Sequence, residues 1–364
     1  MSARTVVALC AALVMVASAM PRVLVAAGSL PEVLRPFSYG DLLFTYLRGL
    51  SGHRLPYVDT PFEYPPLTGA IAGLLSLLSD DAARYVLLWS IVLAGAAAGG
   101  AWALAGEAGW RRTLWRWSLA PQLLLLAGIN MDVVPAALAA WAAVLARQGR
   151  LRPAVVALAL GTATKLYPAF SLPLVTRRAR DLVVFGLVLA AFYLPTSLNA
   201  NPSAFSVLFY AAGIEANGDS FWGLLGRGPQ ALGIDPQPLL VIVTLIGLLA
   251  TYLIVVRARP HDPAVAFGLA TTTLLLWSRL YSPQYSLWLL PTFVLTPLRT
   301  RTFALLSLAD VGVFFTIYPL TLSRWAPNDP LRAMLETLLV VFVCARQAAL
   351  LVTWRELWRS RHAT

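Results

Sequence analysis

Tyr64-Pro65-Pro66-Leu67-Thr68-Gly69-Ala70-Ile71-Ala72-Gly73-Leu74-Leu75-Ser76-Leu77-Leu78-Ser79 is the stretch that decides how this chain is threaded. Residues 67–79 are apolar, yet as a helix they rise only about 20 Å, short of a hydrocarbon core of about 30 Å. Two prolines stiffen the start of the run. It sits between two longer apolar runs, residues 5–27 and 85–104. If it crossed a membrane, Arg111-Arg112 would face outward and Asn130-Met131-Asp132 inward, against the bias of arginine and lysine towards the cytoplasm. If it only dips into the outer leaflet, the arginines become cytoplasmic. The second threading is the one expected.

Outward from that segment the pattern repeats. The 364 residues are 59% hydrophobic and 12% charged, about half the charge of a soluble domain. Arginine clusters at 111–116, 147–152, 177–180, 257–259, 299–301 and 355–361 punctuate the apolar runs. With these as cytoplasmic markers, spans fall at residues 5–27, 85–104, 114–127, 133–146, 182–195, 239–256, 264–277, 287–298, 303–320 and 331–353. Runs 153–164 and 166–175 form a hairpin entering from inside, with Lys165-Leu166-Tyr167-Pro168 at its tip. The expected fold is an all-α polytopic transmembrane bundle of about ten full spans plus short re-entrant helices. It is a single membrane-integrated domain over residues 1–364, with both termini cytoplasmic and external loops near 28–66 and 196–236. The first run resembles a signal peptide around Ala17-Ser18-Ala19, but so many later spans favour an uncleaved anchor.

The same distribution excludes several classes. A net charge of +11 would suit a nucleic-acid binder, but the basic residues lie only at membrane edges. Cys10 and Cys344 sit inside spans, so no disulfide framework arises. The three histidines, His53, His261 and His362, are too scattered for a histidine zinc site.

Polar chemistry concentrates in an island after the first span: Phe37-Ser38-Tyr39-Gly40-Asp41, Pro56-Tyr57-Val58-Asp59 and Phe62-Glu63-Tyr64. Asp41 opens a short helix over residues 41–50, where an aspartate is also a common cap. Lys165 is the only lysine and lies between apolar runs. It either snorkels to an interface or meets an anion. Arg279 ends an apolar run, and Tyr281, Gln284 and Tyr285 follow it. Asp132 is placed to cap the helix from Val133. Asp310 is mid-span and needs a buried partner that the sequence does not name. Trp115, Trp117, Trp222, Trp288, Trp325 and Trp354 lie near span ends and read as interface anchors.

Tyr39-Gly40-Asp41, Tyr64-Pro65-Pro66-Leu67, Gly128-Ile129-Asn130-Met131-Asp132, Lys165-Leu166-Tyr167-Pro168 and Ser282-Pro283-Gln284-Tyr285-Ser286-Leu287-Trp288 occur in this order. That order resembles the GT-C superfamily of polyprenyl-phosphate-sugar-dependent glycosyltransferases. It is similar to the bacterial mannosyltransferases of glycosyltransferase family 87 and to the first mannosyltransferase of glycolipid-anchor assembly. The resemblance implies an inverting hexosyl transfer, of mannose by expectation, on the external face of the plasma membrane. The acceptor would be a lipid or a glycan, and the acidic residue of the first external loop, Asp41, the catalytic base.

The chemistry needs one base and cations for a leaving phosphate. Lys165 and Arg279 are the candidate cations, with Tyr281, Gln284 and Tyr285 as hydrogen-bonding neighbours. Asp59, Glu63, Tyr64 and Asp132 are further substrate-binding candidates. The anchor-assembly enzymes carry Asp-x-Asp where this chain has Ser38 and Tyr39 before Gly40-Asp41. A divalent metal would therefore need Asp59 or Glu63 as its second ligand, and no resident cofactor is expected. The expected partners are membrane lipids, the lipid-linked donor and the acceptor. The competing reading is a flippase for a lipid-linked sugar, which would need polar residues towards both leaflets.

Overall fold

The computed structural model describes residues 1–199, 214–326 and 328–362. Sixteen α-helices serve below as a frame: α1 Ala3–Ala26, α2 Asp41–Thr45, α3 Pro66–Leu77, α4 Ala82–Ala108, α5 Trp110–Thr113, α6 Pro121–Leu126, α7 Val133–Arg147, α8 Leu151–Thr164, α9 Leu172–Val175, α10 Ala179–Asn199, α11 Phe221–Ala231, α12 Gln237–Ala258, α13 Pro263–Leu276, α14 Leu290–Leu295, α15 Thr300–Leu322 and α16 Pro330–Ser360. Among the described residues the only β pairing is an isolated bridge between Pro56 and Thr60. The all-α polytopic bundle is thus observed.

Among the described residues six helices (α1, α4, α10, α12, α15 and α16) are long and apolar enough to cross a membrane, while α3, α7, α8 and α13 are shorter apolar helices. Two of the expected spans, 114–127 and 287–298, are not single helices. The first is a π-turn over Leu114–Ser118 followed by α6, and the second a 3-10 turn over Pro283–Leu289 followed by α14. Prolines set the breaks, because Pro121, Pro283 and Pro291 each begin a new turn and cannot donate to a preceding one. Both segments still run the length of the bundle. Ser118 donates to the Val7 carbonyl near one end of α1, and Arg22 near the other end donates to the Leu125 carbonyl. Irregular backbone survives at such depth only where protein surrounds it; Leu123, Leu126, Leu287, Leu289 and Phe293 are buried.

Arginines gather at one end of the bundle. Arg4 donates to the Trp102 carbonyl, Arg112 to that of Thr296, and Arg116 to those of Phe293 and Leu298. Arg147 pairs with Asp262, Arg177 reaches the Val256 carbonyl, and Arg299 lies beside Glu356. The Arg4–Trp102 contact fixes α1 and α4 as antiparallel neighbours, so α3 between them stays at the opposite end. The short run after Tyr64-Pro65-Pro66 thus sits at one end of the bundle instead of running its length. The hairpin is observed too: Val175 packs back against Leu145, Ala146 and Ala154, and the tip lies by Thr68, whose hydroxyl donates to the Thr164 carbonyl.

At that opposite end the polar island is clamped to the bundle. Phe37 stacks on Phe314, Tyr39 on Tyr318 and Tyr46 against Tyr85, with centroids 6.1, 5.1 and 4.8 Å apart. Tyr57 donates its hydroxyl to the Tyr64 carbonyl. Asp310 finds its partners deeper in the bundle, accepting from Gln122 Nε2 at 2.9 Å and Ser286 Oγ at 2.7 Å. Part of the expected loop 196–236, residues 200–213, lies outside the described residues.

Candidate functional site

Asp41 begins α2 as its first helical residue. Its side chain makes no capping bond, and Gly40 is the cap, so the alternative role of a helix cap is not the one this carboxylate takes. The carboxylate instead accepts from Asn130 Nδ2 at 3.3 Å, while the Asp41 backbone N–H donates to the Ile129 carbonyl at 2.8 Å. Arg22, buried in α1, donates Nε to the Tyr39 carbonyl and Nη1 to that of Ser18. The loop before Asp41 is thereby tied to α1. Gly40 permits the approach, since a β-carbon there would stand 2.9 Å from Arg22 Cγ. Gly128 does the same for the facing loop, where a β-carbon would lie 2.6 Å from the Ser18 carbonyl oxygen.

Asp132 caps α7 with no side-chain capping bond either. It is fully buried and holds Lys165 Nζ at 3.1 Å, and Trp288 Nε1 donates to it at 3.1 Å. Asn130 joins the two acids, because its Oδ1 accepts the Asp132 backbone N–H at 2.8 Å. Lys165 also stands over the rings of Tyr64 and Tyr285, 5.3 and 4.8 Å from their centroids. A lysine whose side chain is only 15% exposed and is held by one carboxylate and several aromatic faces is fixed in place, not snorkelling.

These groups surround a cavity of about 310 Å³, at the lower end of the roughly 300–1,000 Å³ typical of small-ligand sites. Asp41, Glu63, Tyr64, Asn130, Lys165, Gln284 and Tyr285 line it, and Leu166, Phe170 and Leu274 form an apolar flank. Tyr167, Trp288 and Tyr285 stack in series, with centroids 4.1 and 4.2 Å apart. Burial pushes the Asp41 carboxyl above its ordinary value, and the neighbouring Tyr39 hydroxyl, Lys165 and Asn130 oppose the push.

Of the site residues expected from sequence, Asp41, Glu63, Tyr64, Lys165, Gln284 and Tyr285 meet on this cavity, with Asp132 directly behind Lys165. Besides Asp132, three others do not line it. Asp59 is exposed and closes its own turn by accepting the Leu55 N–H at 2.7 Å. Arg279 donates to the Ile214 carbonyl and so shapes the wall. Tyr281 is buried under Arg346, whose guanidinium lies 4.0 Å from its ring centroid, with its hydroxyl bonded to Ser286. Among the described residues no three His, Cys, Asp or Glu side chains gather as metal ligands. Glu63 is held by Arg48 at 3.0 Å, so the acids fit a bridged divalent ion poorly.

Sequence reasoning missed Asn130, Tyr167, Trp288, Arg22 and Arg48. Asn130 and Trp288 stand inside motifs already singled out. Trp288 is no interface anchor: it is 5% exposed and donates inward to Asp132. Arg22 carried no signal beyond its position within an apolar span.

The fold and this cavity define a multi-pass membrane protein with an acid, a cation and stacked aromatics around one small-molecule site. The sequence model of glycosyltransferase family 87 matches residues 62–283, more than half of the chain, and the protein belongs to that family. It is therefore a membrane glycosyltransferase. No curated protein and no solved structure matches the chain. Asp41 precedes the matched stretch.

Proposed function

We propose that this protein transfers a hexose, mannose by its motifs, from a polyprenyl-phosphate donor to a lipid or glycan acceptor, with inversion at the anomeric carbon. The active site faces the exterior of the plasma membrane and both termini are cytoplasmic. The observation that carries the reading is that Asp41 and Lys165 face one cavity whose wall combines aromatic and apolar side chains with the polar Glu63, Asn130 and Gln284. A lipid phosphate leaves as a stable anion, so the paired carboxylates of glycoside hydrolases are unnecessary. One base and one anion seat suffice.

The acceptor oxygen attacks the anomeric carbon, and the carbon–oxygen bond to phosphate breaks with its electron pair staying on the phosphate oxygen. Asp41 takes the acceptor proton. Lys165 has three N–H groups and Asp132 occupies one, leaving the others for the phosphate as its charge grows. Gln284 and Tyr285 flank it, and Leu166, Phe170 and Leu274 receive the first prenyl carbons.

Purified protein in lipid nanodiscs, given polyprenyl-phosphate mannose and candidate acceptors, should yield a mannosylated product by mass spectrometry. Lys165→Gln should raise the donor KM at least about tenfold, as expected for a lost charge-assisted hydrogen bond. Transfer from a nucleotide sugar alone, or lipid-sugar translocation without transfer, would overturn the reading.

A further inference from the structure

A second recess of about 300 Å³ adjoins the cavity and shares Glu63 with it. We propose that it seats the acceptor, and that the acceptor group it takes is a neutral polyhydroxylated one, a sugar headgroup rather than an anionic one. The proposal rests on the transferase reading above and names the substrate class of its second half.

The recess starts beside the proposed base. α2 carries Asp41 at its first position and Thr45 one turn later, where the Thr45 hydroxyl donates to the Asp41 carbonyl at 2.6 Å. Residues four apart share a helix face, so Thr45 continues the Asp41 face into the recess. The helix then widens into a π-turn over Tyr46–Leu50, which brings Arg48 and Gly49 to the same wall. Gly49 lets the Thr60 segment pack directly against the π-turn as the facing wall, because a β-carbon there would collide with the Thr60 side chain. A ligand lying along this wall would present one end to Asp41, on the side facing the proposed donor.

Charge selects its chemistry. The rim is the Arg48–Glu63 pair, 3.0 Å apart, with side chains 61% and 22% exposed. The guanidinium is a fork of donors and the carboxylate accepts only, so together they serve hydroxyls that both give and take hydrogen bonds. Their charges offset each other, leaving no net positive field for a phosphate or carboxylate headgroup. Thr45 and Thr60 add hydroxyls and Phe62 an apolar surface, the mixed lining of a pocket that orients a small polar ligand.

Binding is read apart from turnover. Radiolabelled octyl α-mannoside and octyl glucoside are dialysed against the purified protein, with octyl phosphate as the anionic competitor. Arg48→Gln should weaken glycoside binding, and raise its KM in transfer, about tenfold or more. The donor KM should move less than about twofold. Thr60→Val, nearly isosteric, should give a smaller loss in the same direction and guards against misfolding of the first variant. Unchanged glycoside binding in both variants, no measurable binding to the wild type, or stronger competition by octyl phosphate than by glycosides would each overturn the proposal. Glycoside binding that depends on Arg48 without any transfer from the polyprenyl-phosphate sugar would sustain the recess and overturn the proposed donor instead.

Discussion

Asp41 leads a helix yet gives its carboxylate to Asn130, leaving it on the cavity instead of spent on its own backbone. Asp41→Asn keeps the shape and removes the proton acceptor. Transfer should fall by about 10²–10⁴-fold, the usual contribution of a general base, with donor binding little changed. Because burial raises the Asp41 carboxyl, the ascending limb of the pH–rate profile should lie above the ordinary carboxylate range and vanish in the variant. The stability sign follows from the same shift. The folded state holds this proton more tightly than the unfolded chain, so stability falls as pH rises through the interval between the two pKa values. At neutral pH Asp41→Asn should therefore melt at or above the wild-type Tm in detergent, and a marked drop would assign the carboxylate to holding the fold.

At the scale of elements, the two broken passes are what bring polar groups together deep in the bundle. A regular helix over 283–295 would satisfy its own backbone; the 3-10 turn at Pro283–Leu289 instead carries Ser286 to Asp310 and Tyr285 to the cavity. Gln122, in the first turn of α6, completes the set with Ser307. Asp310→Leu keeps the branched shape at a larger volume and removes the acceptor shared by Gln122 and Ser286, each of which retains one other partner, at a cost of about 1–3 kcal/mol for the lost buried bonds. The variant should show a lower Tm and a raised donor KM, since the turn that shifts carries Gln284 and Tyr285. An unchanged Tm would mean that the network does not brace the turn.

For the whole molecule, the separation of an arginine end from a site end gives a directional test. In a variant lacking Cys10 and Cys344, exposed Arg54 at the site end and exposed Arg111 at the arginine end are replaced singly by cysteine. In intact cells an impermeant thiol reagent should label Arg54→Cys and spare Arg111→Cys, in accord with the cytoplasmic bias of arginine. The reverse pattern would invert the proposed orientation. Labelling of both positions, or of neither, would contradict the placement of α3 at one end.

The amino-acid order by itself determined the helical membrane class, the end-on position of the short run 67–79 and the polar end of the bundle. Hydrophobic run length and arginine position act locally, through the cost of placing apolar or charged groups in the wrong solvent. It also pointed to Asp41, Glu63, Tyr64, Lys165, Gln284 and Tyr285, because carboxylates, amides and a lone lysine stand out against Ala, Leu and Val. Which of the polar residues share a cavity was decided only by tertiary structure. Asp59 and Tyr281 look no different in sequence from Glu63 and Tyr285, yet one closes a turn and the other lies beneath Arg346. Asn130 joins Asp41 to Asp132 from 89 positions away along the chain. Trp288 turns inward to Asp132, and Arg22 pins the loop of the proposed base from within a span. Those assignments depend on which buried donor meets which acceptor, and a buried polar group takes whatever partner packing brings within about 3 Å, however distant in sequence.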